Sequence, residues 1–222
     1  MQITVKFRPT QSLAEVRLSP AESVVAESGA LVGMSSNVAM QAEGAGFFGG
    51  LKRVFGGEAI ARNVFTAQGG PGEVLLSTAL SGDMTILDVG ARQWCVESRA
   101  YVASAPSVRI SPKGGRVRGF FSGAGAFVLE TGGSGMLLIG GFGAIETIDV
   151  KGGLVIDQGH VVAWETSLVP MDEPVGRGLV ATFLAAEGST RTFRGAGQVF
   201  VQSRSPSSYG AAIGGLLPAR SG

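Results

Sequence analysis

Apolar residues in this chain fall in short runs of four to seven, rich in Val, Ile and Phe, and the runs end in Gly, Pro, Asp or Ser. The opening Met1-Gln2-Ile3-Thr4-Val5-Lys6-Phe7 alternates apolar and polar positions. Alternation and short runs bounded by turn residues predict β-strands, because successive strand side chains point to opposite faces. Helix is expected only around Phe48 to Phe55. From Ser205 onward, Pro206, Ser207, Ser208 and Gly210 predict a flexible tail over 205–222, with a small apolar end at Ile213, Leu216 and Leu217.

The runs recur in an ordered way. Gly-small-Gly followed by an apolar strand stands at Gly70-Pro71-Gly72-Glu73-Val74-Leu75-Leu76, at Gly133-Ser134-Gly135-Met136-Leu137-Leu138-Ile139 and at Gly195-Ala196-Gly197-Gln198-Val199-Phe200-Val201. From Gly72 to Gly135 is 63 positions, and from Gly135 to Gly197 is 62. A second phrase ends in Val25-Ala26, Val102-Ala103 and Val162-Ala163, with its valines 77 and 60 positions apart. Removing the 14-residue, glycine-bounded segment 44–57 from the first copy restores the period. Asp88 and Asp149, in similar apolar runs, stand 61 positions apart. The expected architecture is all-β, three repeats of a roughly 60-residue antiparallel module, each burying its neighbours' apolar faces in one compact sandwich or barrel-like domain. The single domain spans 1–222, with approximate repeats at 1–88 (carrying the insertion 44–57), 89–149 and 150–204.

Composition narrows the function. Glycine, at 36 of 222 residues, is far above average and sits in pairs between strands, as turn punctuation. A formal net charge of +1 supplies no broad attraction to nucleic acid or acidic lipid. One cysteine, Cys95, excludes an intramolecular disulfide and fits a reducing compartment. No run approaches the ~18 apolar residues of a membrane-spanning helix. The expectation is a soluble, cytoplasmic protein, with peripheral membrane contact as the remaining option.

Candidate catalytic groups do not assemble. Gly44-Ala45-Gly46-Phe47-Phe48-Gly49 matches a dinucleotide fingerprint, but Gly56-Gly57 stops any following helix and no acid stands near 64–70. His160 is the single histidine, so no multi-histidine metal site exists, and Asp157-Gln158-Gly159-His160 reads better as a turn. Its positions fall where the first copy has Pro20-Ala21-Glu22-Ser23. Cys95 follows Trp94 in an apolar run and reads as a small buried hydrophobe. No enzyme, cofactor or metal is expected.

Two segments carry contact chemistry instead. Phe47, Phe48, Leu51, Val54 and Phe55 recur near helical spacing around Lys52 and Arg53, amid glycines that each cost a helix about 1 kcal/mol. The phenylalanines must be buried on their own domain, in a subunit interface, or at a membrane surface with Lys52 and Arg53 toward headgroups. Arg109, Lys113, Arg116 and Arg118 run into Phe120-Phe121. A solvated hairpin with charged edges is the commoner meaning of such a cluster; phosphate or single-stranded RNA contact is the alternative.

Glu22 to Leu31, Gly49 to Glu58, Asn63 to Ala67, Asp157 to Ala163 and Gly195 to Arg204 together resemble the altered-inheritance-of-mitochondria family, over nearly the whole chain. The resemblance implies a fold like the tryptophan RNA-binding attenuation protein, three structural repeats, assembly as a homotrimer and no established enzymatic activity. The expected function is a non-enzymatic scaffold or interaction protein, a homo-oligomer with 44–57 in subunit or membrane contact. A binding module for single-stranded RNA or a small ligand is the alternative.

Overall fold

A computed structural model describes residues 1–43, 61–113, 127–173 and 190–217. The chain is all-β, as the run pattern predicts. Its first third contains β1 (Gln2–Lys6), β2 (Leu13–Leu18), β3 (Ser23–Glu27), β4 (Leu31–Met34), β5 (Val38–Ala42), β6 (Arg62–Ala67) and β7 (Gly72–Leu76). The middle third contains β8 (Met84–Val89), β9 (Trp94–Glu97), β10 (Tyr101–Ser104), β11 (Val108–Pro112), β12 (Val128–Gly133) and β13 (Gly135–Gly140). The last contains β14 (Ile145–Asp157), β15 (Val161–Glu165), β16 (Val169–Glu173) and β17 (Thr190–Gln202), then the helix α1 (Pro206–Gly214).

These strands form three sheets. The first has the order β1-β2-β7-β4, the second β5-β6-β3-β10-β13-β8, and the third β11-β12-β9-β15-β17-β14 with β16 on the outer half of β17. Ala14, Val16 and Leu76 of the first sheet meet Val24, Phe65 and Leu138 of the second in one apolar core. Leu87, Tyr101 and Ile139 of the second meet Trp94, Leu129 and Phe200 of the third in another. The third sheet then packs on itself, bringing Phe193, Leu154 and Ile156 against Cys95, Trp164 and Val199. That return needs a bend in two 13-residue strands. Gly152 and Gly195 lie opposite each other in the β14–β17 ladder with φ of 113° and 111°, backbone that L side chains rarely adopt.

One pairing pattern occurs three times. Leu31 faces Leu76, Tyr101 faces Ile139 and Val161 faces Val201, and in each case a bulge then sets Gly33, Ala103 or Ala163 opposite the preceding residue. This register sets Val32, rather than Val25, beside Val102 and Val162. The closing glycines Gly72, Gly135 and Gly197 face Leu18, Val89 and Val150 in three like ladders.

The tail expected to be flexible contains α1. Ser205 caps it by accepting from the Ser208 N–H, and a proline opens the first turn. Tyr209 stacks edge-on against Phe142 at 5.1 Å between ring centres. Among the described residues no helix is long and apolar enough to cross a membrane.

Candidate functional site

The three sheets join the thirds of the chain through two strand contacts of one kind. In the second sheet β3 of the first third pairs with β10 of the middle third, setting Ala26 opposite Ala103 and Val25 opposite Ser104. In the third sheet β9 of the middle third pairs with β15 of the last, setting Val96 opposite Ala163 and Cys95 opposite Trp164. The next contact in the series would join the outer half of β14 to β4. Those two strands instead end their sheets and are not joined by any backbone pairing among the described residues.

Exposure follows from this opening. Val102 and Val162 are each 1% exposed, whereas Val32, which has the same place in the bulged pairing, is 59% exposed. Met34 is 41% exposed where Ser104 is 0% and Trp164 is 1%. On β14, Val155 stands two residues before Asp157 and is 63% exposed; Val25 and Cys95, two residues before Glu27 and Glu97, are 6% and 0%. Apolar side chains on unpaired strand edges are an association hazard that proteins ordinarily blunt with charge or cover. Here the two edges carry Val32, Met34 and Val155.

The closed contact between β9 and β15 shows what such a junction encloses. Trp164 lies against Phe193 at 5.5 Å, with the Arg191 guanidinium 5.0 Å and the Lys113 ammonium 5.9 Å from its ring centre. Arg191 donates to Glu97 at 2.9 Å, and both are buried. The Lys113 ammonium sits 3.0 Å from the Cys95 sulfur. Burial pushes the Cys95 thiol up from its ordinary value, against the opposing pull of Lys113. Among the described residues the Trp164 indole N–H has no hydrogen-bond partner. At the first closed contact Tyr101 donates from its hydroxyl to the Val25 carbonyl at 3.2 Å, below the Arg62 guanidinium, which pairs with Glu43.

The residues singled out from sequence fall differently. Phe47, Phe48, Leu51, Lys52, Arg53, Val54 and Phe55 lie outside the described residues, as do Arg116 and Arg118. Arg109 is exposed on β11, while Lys113 is half-buried against Cys95 and Trp164, so these two do not share an open cationic face. His160 ends a short 3-10 turn and its Nδ1 lies 2.8 Å from the Gln202 carbonyl. The turn matches Ser98–Ala100 before β10, and thus the residues after Glu27 rather than Pro20 to Ser23. Sequence reasoning missed both open edges; the signal available was the apolar Val32, Met34 and Val155 themselves. Among the described residues no group of three or more His, Cys, Asp or Glu side chains could hold a metal.

Comparison with known proteins agrees with this architecture. An X-ray structure of a Streptococcus pyogenes protein superposes with a TM-score of 0.82 at 26% identity, covering 97% of this chain and 99% of that one. An uncharacterized protein of Streptococcus pyogenes serotype M6 is 28% identical over 233 residues, covering all of this chain and 93% of the relative. The family described as mitochondrial biogenesis AIM24 matches residues 4–204. With nearly its whole length matched, this chain belongs to the AIM24 family.

Proposed function

We propose that the protein is a non-enzymatic scaffold or interaction protein that works as a homo-oligomer, its chain being three like β units in a row. The exposed edges of β4 and β14 carry this reading, because each leaves open an apolar position that is buried in the other two thirds. The resemblance adds the number three for the assembly. His160 and Cys95 support the non-enzymatic part: the imidazole is engaged by a backbone carbonyl, and the thiol is buried with its ionisation suppressed. Sedimentation at micromolar concentration is the test. A discrete oligomer that Val155→Lys converts to a folded monomer is expected, since a buried unpaired ammonium at a strand junction is costly; a monomeric unmodified chain overturns the reading.

A membrane-surface contact is the second reading, and one end of the molecule favours it. Phe7, Leu80, Ile213, Leu216 and Leu217 are exposed there, with Tyr209. Contacts of Arg8 with Asp83, of the Asp83 N–H with the Gly143 carbonyl, and of Phe142 with Tyr209 link the segments that bear them. Arg204, exposed and held to Phe142 through its backbone N–H, adds positive charge at this end, whereas the Arg8 charge is balanced by Asp83. Flotation with vesicles of phosphatidylcholine and phosphatidylglycerol should be lost when Phe7, Leu216 and Leu217 are all changed to Ser. An unmodified chain that never floats removes the second reading.

A further inference from the structure

We infer that β4 of one copy pairs antiparallel with the outer half of β14 of the next, setting Gly33 opposite Ile156, Met34 opposite Val155 and Ser35 opposite Leu154. This rests on the oligomeric reading above and adds to it the surface, the direction and the register. The argument is transposition. Within the chain, the third residue of the bulged strand meets the residue just before the terminal acid of the neighbouring unit: Ala103 meets Ala26, before Glu27, and Ala163 meets Val96, before Glu97. Gly33 is the third residue of β4, and Ile156 precedes Asp157, the acid that ends β14. Applying the same rule to the two strands left open gives one register and no other. A shift by one residue would turn every side chain to the opposite face.

The two edges fit each other chemically. The junction covers Val32, Met34 and Val155, three of the exposed large apolar residues, and both strand edges at once. Neither edge carries Lys, Arg, Asp or Glu within Leu31–Met34 or Leu154–Ile156, so no charge is trapped. Where Glu97 meets Arg191 within the chain, the like positions are Asp157 and, on the next copy, Asn63, an acid with an amide donor. Because the two edges differ, the contact is head-to-tail: each copy offers β4 to one neighbour and β14 to another. The outer half of β14, with the outer half of β17 and β16 paired behind it, then continues the neighbour's four-stranded first sheet.

A cysteine pair reads the register directly. On a Cys95→Ala background, Met34→Cys with Val155→Cys is oxidised with glutathione disulfide and examined by non-reducing electrophoresis and peptide mass spectrometry. Directly opposite residues in an antiparallel pair have Cα atoms about 4.5–5.5 Å apart, within disulfide reach. The expected result is a ladder of covalent oligomers carrying a 34–155 bridge between copies, with no ladder from either single cysteine. Gly33→Cys with Val155→Cys, whose side chains would face opposite ways, should not link. Oligomers in sedimentation without a 34–155 bridge, or linked through 33–155, overturn this junction and leave the oligomeric reading standing. A monomer from the unmodified chain overturns both. Circular dichroism matching the parent confirms that each variant compared is folded.

Discussion

Trp164→Ala should lower stability by about 3–5 kcal/mol, the usual cost of emptying a buried tryptophan site. For a chain of this size that is a fall in Tm on the order of 10 °C in thermal unfolding. The expectation rests on position: the indole is 1% exposed, lies between Phe193 and two cations, and sits where the middle and last thirds of the chain pair. Trp164→Phe separates the contributions. It keeps an aromatic face and removes an indole N–H that has no partner among the described residues, and a buried unsatisfied donor costs about 1–3 kcal/mol. Its loss should therefore be well under half that of the alanine variant. A phenylalanine variant as unstable as the alanine one would mean that the N–H is satisfied and that the ring is not the main contributor.

Gly82→Ala should be comparably severe for a different reason. Gly82, between β7 and β8, forms an isolated parallel bridge with Gly143, between β13 and β14. A Cβ there would stand 1.8 Å from the Gly141 carbonyl oxygen and 2.8 Å from the Gly143 nitrogen. Both obstacles are backbone, so no side-chain rotation relieves the clash, and overpacking that moves backbone costs about 1–3 kcal/mol and sometimes more. Gly210→Ala is the control. It lies in the exposed helix, where a Cβ would meet nothing within 4 Å among the described residues, and alanine there favours helix by roughly 0.5–1 kcal/mol. Thermal unfolding should show a large drop for Gly82→Ala and none for Gly210→Ala; equal behaviour would sink the steric argument.

Much of the strand content was legible because short apolar runs and paired glycines have a direct physical meaning. The closing glycines illustrate it. A Cβ at Gly72 would meet Val38 at 2.6 Å, at Gly135 it would meet Ala105 at 2.9 Å, and at Gly197 it would meet Ser167 at 2.7 Å. The recurring phrase therefore marks one close approach made in each third. The valine phrase misled for an equally physical reason. Ser23–Glu27 and Leu31–Met34 are both short strands with a valine beside an apolar residue, and a period of two cannot tell them apart. Only the bulged register distinguishes them. The extra length of the first third is divided as well. Counted from Val32, the first third takes 40 residues to its closing glycine against 33 and 35 in the others, an excess shared between the β5–β6 hairpin and the turn from Gln68 to Pro71, so removing all 14 residues of 44–57 would overshoot.

The site was less legible. Whether Val32 and Val155 are buried or exposed depends on which strands lie beside them, and that follows from topology rather than local pattern. The contacts of Lys113 with Cys95 and of Arg191 with Glu97 span 18 and 94 positions, beyond any motif spacing. The helix over Pro206–Gly214 was obscured by its two glycines, although Ser205-Pro206 is a helix start that sequence rules recognise.

The ladder of β14 and β17 runs unbroken through all thirteen facing positions, from Ile145 with Gln202 to Asp157 with Thr190. One half of this ribbon is anchored in the molecule's own interior, and the other half presents the open edge. The segment that would hold a neighbour is thus a rigid extension of the core rather than a detachable arm. Melting it would unravel the tether to β15 as well, so loss of quaternary contact and loss of the native fold would draw on the same hydrogen-bonded ribbon.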